Sequence, residues 1–210
     1  MADAAPAAPS PEPTDLPVLH VPDAAAWRAW LAEHHATSRG VWLVQRKKAG
    51  RVPAPSREEA LDEALCFGWI DGQALRRDED TTLQRWTPRR PRSPWSARNV
   101  GIVARLEAEG RMTDAGRAEV ERAKADGRWD AAYGSQATAE MPEDLLAAIA
   151  ANPDALAWFD VLTKSNRFAL YYRVTQAKRP ETRARRIADL VARLARGETP
   201  YPQKARPEGR

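Results

Sequence analysis

At 210 residues and 23.4 kDa the chain is long enough for one sizeable core or two small packed lobes. Hydrophobic residues make up 43% and charged residues 30%, and eight tryptophans exclude a chain that stays unfolded in water. The formal charge of +4 conceals an asymmetry: residues 163–210 hold thirteen Lys or Arg against four acids, a net +9, which leaves −5 on residues 1–162. The basic third is a candidate contact surface for phosphates, nucleic acid or an acidic partner, and a set of solvated helices is the plainer explanation.

No apolar run approaches the ~18 residues that span a bilayer, so no membrane insertion is expected. The first residues are Ala, Pro, Ser and acids rather than a basic segment followed by an apolar one, which predicts no secretory signal. A lone cysteine, Cys66, excludes an internal disulfide and fits a reducing compartment; the expected location is cytoplasmic. His20, His34 and His35 combine with no Cys or acid at zinc-binding spacing, so no metal is expected. There is no phosphate loop, no dinucleotide fingerprint and no Ser-His or Cys-His pairing, and no cofactor is expected.

Residues 1–15, rich in Ala and Pro, read as a disordered tail. Leu16–Val21 reads as a short strand. The next segment is a helix in which Trp27, Trp30, Leu31 and His34 recur at i, i+3, i+4 and i+7. Val41–Val44 is an apolar strand, and Ser56 with Glu59 forms a capping-box pattern that opens a helix ending at Gly68. Trp69–Arg76 and Thr82–Trp86 read as antiparallel strands around the acidic turn at 78–80. This predicts an α+β fold, a small β-α-β-α-β-β lobe over 16–92 followed by an all-helical lobe over 93–200.

In the helical part Ser93 is the expected cap of a helix with the stripe Trp95, Asn99, Ile102, Val103 and Leu106, and Thr113 caps a second helix. Pro142–Ala150 and Pro153–Leu162 form a helical hairpin, and Ser165 caps the helix through Thr175. Pro180 opens the last helix, with Ile187, Leu190, Val191 and Leu194 as its buried face. Residues 201–210 are expected as a flexible tail.

The chemistry concentrates between Cys66 and Asn99. Five arginines and no acid lie between Arg85 and Arg98, interleaved with Trp86 and Trp95, and Asp71 stands just upstream. Asn99 and Arg183 fall on apolar stripes, where a polar group costs on the order of 1–3 kcal/mol unless it is hydrogen-bonded. Each therefore needs a partner. One reading pairs Arg183 with a core acid such as Asp71. In the other, Trp69, Asp71, Arg89, Arg90, Trp95, Asn99 and Arg183 line a cleft between the lobes, where arginine forks suit carboxylate or phosphate.

Four segments also resemble a known family: Glu63–Gly72, Thr87–Pro91 with Trp95, Ser96 and Asn99, Gly127–Tyr133, and Ala177–Ile187. Together they resemble the YdeI/OmpD-associated family, also labelled bacteriocin-protection proteins, over roughly Val18 to Pro202. The resemblance implies a bacterial role in tolerating antimicrobial peptides or bacteriocins and supplies no catalytic residues.

The preferred expectation is a cytosolic stress- or resistance-associated protein that binds a small anionic ligand or an acidic partner in the Arg/Trp cleft. A second reading is an enzyme using Asp71 as acid or base beside the arginines. The third is nucleic-acid binding by the basic C-terminal helices.

Overall fold

The computed structural model describes residues 13–134 and 139–208. The tail expected over 1–15 thus lies outside the described residues up to position 12. Asp15 itself is tied down: it accepts from Trp42 Nε1 at 2.8 Å and lies 3.1 Å from Arg85 Nη1. The fold is α+β, as expected, and divides into two compact units, Met1–Trp95 with Asn99–Ala132, and Ser96–Arg98 with Tyr133–Arg210.

The first unit runs β1 (Val18–Leu19), α1 (Ala24–His34), β2 (Val41–Arg46), α2 (Arg57–Cys66), β3 (Trp69–Arg76) and β4 (Thr81–Pro88). Strand order is β1-β2-β4-β3, with β1 parallel to β2 and the other pairs antiparallel. Alternation along β2 sends Val41 and Leu43 to the face covered by α1 and α2, and Trp42 and Val44 to the other. The capping box at the start of α2 is complete: Ser56 Oγ accepts from Glu59 N and Glu59 Oε2 from Ser56 N. Gly68 ends that helix with φ +73°, a conformation that costs glycine nothing. The β3–β4 register slips between Asp71 and Ala74, and there Gln84 Nε2 donates to the carbonyls of Gly72 (2.8 Å) and Gln73 (3.3 Å).

Two further helices, α3 (Ala97–Ala108) and α4 (Asp114–Ala125), send Val103, Leu106, Val120 and Ala123 into the same core as Trp27, Leu65 and Trp86. The expected division at 92/93 therefore moves: apolar stripes on α3 and α4 fill the space beside α2, and the first compact unit runs on to Ala132. Ser93 does not cap α3. Its hydroxyl accepts from Arg90 N and closes a turn, so the helix starts at Ala97. Trp95 precedes the helix and is buried.

The second unit contains α5 (Glu143–Ala150), α6 (Pro153–Asp160), α7 (Lys164–Thr175) and α8 (Pro180–Ala195). Leu145, Ile149, Trp158, Phe159, Leu170, Val174, Ile187, Leu190 and Leu194 make its core. The cap of α7 is Thr163 rather than Ser165; its hydroxyl accepts from Asn166 N. The described part of the expected C-terminal tail is anchored. Asn166, fully buried, accepts from Tyr201 N at 2.7 Å and donates to Tyr201 O and to Gln203 Oε1. A buried amide with two donors and one acceptor oxygen fixes that segment because each needs a partner there.

Candidate functional site

Within the second unit, α5 and α8 flank a groove of about 670 Å³. That volume lies in the range of small-molecule sites, and the walls match such sites too, mostly apolar with few polar groups. Ala184, Ala188 and Ala192 recur every fourth residue on α8, so one strip of the helix carries only methyl groups. Ile187 and Val191 form the adjoining strip, and Ala148 faces from α5.

One end of the groove is polar. Arg183 Nε donates to Asp144 Oδ2 at 2.6 Å and Nη2 to Oδ1 at 2.8 Å, a two-pronged grip. Its third nitrogen, Nη1, donates to Val174 O at 3.3 Å. The Arg183 hydrogen bonds hold the Asp144 carboxyl below its ordinary range, and the same contact pushes Arg183 up. Both groups remain partly open, with side-chain exposures of 30% for Arg183 and 48% for Asp144. The groove also reaches Pro180, the first residue of α8, whose N-cap Arg179 makes no side-chain cap hydrogen bond. That helix start favours negative charge.

The expected partner for Arg183 was a core acid such as Asp71; the acid it holds is Asp144. The other six expected site residues all lie in the first unit. Asp71, near the start of β3, accepts from Arg57 Nη2 at 3.1 Å. Trp69 is a core residue whose Nε1 donates to His35 O and whose ring meets Trp27 and Trp30 edge-on. Arg89 is buried, with its guanidinium 3.5 Å from the centroid of the Trp95 ring and Nη1 on Pro94 O. Arg90 is exposed, and Asn99 is buried on α3. Arg89 and Trp95 thus come together as a stacked pair, supported by Trp129 at 4.8 Å from Trp95.

Sequence reading missed two participants. Arg128 is buried after α4, clamps Asp126 through Nε and donates from Nη1 to Ser93 O at 2.8 Å. Asp144 was passed over because a carboxylate in a first helical turn is ordinary there. The alanine strip carried a usable signal, a fourfold spacing on the side of α8 away from its leucines. Alanine is neutral in a polar/apolar pattern, so that signal goes unread.

The chain is an α+β protein whose second unit presents an apolar groove with an ion pair at one end. Residues 138–197, the helical segment of the second unit, match the family model described as Bacteriocin-protection, YdeI or OmpD-Associated, OmdA. Residues 19–119 match a second model, a domain of unknown function, DUF8412. Of the segments that carried the resemblance, Ala177–Ile187 lies inside the OmdA match, Glu63–Gly72 and Thr87–Asn99 lie inside the other, and Gly127–Tyr133 falls between them. No curated protein and no solved structure matches the chain. Among the described residues no helix is long and apolar enough to cross a membrane.

Proposed function

We propose that the protein binds a small amphipathic ligand in the α5–α8 groove of its second unit. The observation that carries this reading is the groove itself: about 670 Å³, walled by alanine, Ile187 and Val191, with the Asp144–Arg183 pair at one end. Apolar walls supply affinity in proportion to the area they remove from water, at roughly 25 cal/mol per Å². The ion pair supplies orientation.

A stress- or resistance-associated role in the cytoplasm belongs to the same proposal. It is supported by the description of the OmdA model and by a single cysteine that is buried as a free thiol.

The test is fluorescence titration with anilinonaphthalene sulfonate, an amphipathic dye, on wild type and on Ala188→Phe. Ala188 is exposed on the groove-lining strip, so a phenyl ring there fills the groove without entering the core. Saturable binding lost in Ala188→Phe at unchanged unfolding midpoint is the expected result. Equal binding by both proteins overturns the groove reading.

A further inference from the structure

We infer that the polar end of the groove is a carboxylate receptor closed in the free protein by Asp144, and that the ligand is an apolar monocarboxylate. This rests on the groove reading above and names the class of ligand. Arg183 offers a side-on fork, Nε and Nη2, each on its own oxygen of one planar anion at 2.6 and 2.8 Å. A carboxylate fills that fork with both its oxygens, and the protein's own carboxylate already occupies it in the manner an incoming one would.

Two features suit this contact to exchange. Arg183 keeps its orientation when Asp144 leaves, because Nη1 remains on Val174 O. Asp144 stands in the first turn of α5 with its side chain half exposed, so the displaced carboxylate turns into water rather than being left as a buried charge.

The sign of the head group follows from the surroundings. Lys178, Arg179, Arg183, Arg185 and Arg186 crowd the start of α8 against Glu181, and that helix start has no side-chain cap. An anion there gains from the helix start as well as from the fork. A cation at Asp144 would sit beside the positive guanidinium that already holds it. The ligand's apolar body then lies along Ala184, Ala188 and Ala192.

Calorimetric titration of wild type, Asp144→Asn and Ala188→Phe with octanoate, octyl phosphate and octylammonium tests the inference. Removing the competing charge is expected to tighten octanoate binding by up to about fivefold, the factor that a partly exposed ion pair of ~1 kcal/mol represents. Asp144→Asn keeps the shape of the side chain, and its urea midpoint confirms that the fold is retained. Binding of octylammonium that disappears in Asp144→Asn, with octanoate inert, overturns the inference and leaves the groove reading standing. Octyl phosphate bound more tightly than octanoate overturns the carboxylate class. If none of the three probes binds wild type or Asp144→Asn, or if Ala188→Phe binds them equally, the groove reading itself fails.

Discussion

Arg111 Nη2 donates to Glu63 Oε1 across 2.6 Å, fixing the turn after α3 to the middle of α2. The other oxygen of Glu63 accepts from Arg28 Nη1 at 2.7 Å, and Arg28 Nη2 donates in turn to Arg111 O. One buried carboxylate therefore joins α1, α2 and the α3–α4 turn. Glu63→Ala takes from Arg28 its acid while Arg111 keeps Glu109 and Asp62, and the expected loss is about 1–2 kcal/mol, that of charge-assisted hydrogen bonds to guanidiniums about one-third exposed. A lowered urea midpoint at unchanged slope is the readout. A change below about 0.5 kcal/mol contradicts the role assigned to Glu63.

Helix α4 approaches the end of α2 so closely that a methyl group at Gly116 would lie 2.2 Å from Cys66 O and 2.9 Å from Leu65 O. Those are backbone atoms and cannot turn aside. Gly116→Ala is expected to cost about 2–3 kcal/mol by forcing the helices apart. At Gly101, inside α3, nothing lies within 4 Å of the added methyl, and Gly101→Ala is expected to gain about 0.5–1 kcal/mol from helix propensity alone. Opposite signs for the two substitutions in one thermal denaturation series check both.

Asn166 governs the C-terminal segment. Asn166→Ala removes three hydrogen bonds, two of them to Tyr201 and one to Gln203, and leaves the partly buried Tyr201 N without its acceptor, while Tyr201 O keeps Thr199 Oγ1. The expected cost is about 1–3 kcal/mol. Trypsin cleavage after Lys204 should become rapid in the variant while wild type resists; equal rates would refute the anchoring role.

The Asp144–Arg183 pair gives a pH-dependent prediction. The folded pKa of Asp144 lies below the ordinary value of 3.8, so the carboxylate stabilises the fold above that value and the contribution is lost as pH falls through the lowered one. Because the pair is partly exposed, the contribution is below about 1 kcal/mol, and Arg183→Ala should lower stability by no more than that. Urea midpoints of wild type and Asp144→Asn should differ at neutral pH and converge as the pH falls below the range in which an ordinary aspartate titrates. A loss of several kcal/mol in Arg183→Ala would make it a buried core pair instead.

Much of this fold was legible in the chain. The capping box at Ser56 and Glu59, the stop at Gly68 and the β-α-β-α-β-β order all follow from local chemistry, and they stand in the structure. Caps went astray where hydroxyls crowd together: Thr163 and Ser165 lie on either side of the first residue of α7, and the earlier one takes Asn166 N. Ser93 was misplaced because a hydroxyl that closes a turn with Arg90 looks the same in sequence as one that starts a helix. Partner choice was the least legible. Arg183 advertises its need for an acid, yet Asp144 stands 39 positions away and nothing local distinguishes it from other acids. The anchored C-terminal segment escaped for the same reason, since Asn166 and Tyr201 are 35 residues apart.

The register slip in β3 has a consequence for how the protein behaves when concentrated. β3 is the outer strand of its sheet, the position where a neighbouring chain could add a strand of its own. At the slip, the carbonyls of Gly72 and Gln73 are turned onto the amide of Gln84. The irregular backbone and the two occupied carbonyls deny an incoming strand a continuous row of partners, and the bulge twists the rim away from flat stacking. A short glutamine side chain thus guards the sheet against growing from molecule to molecule.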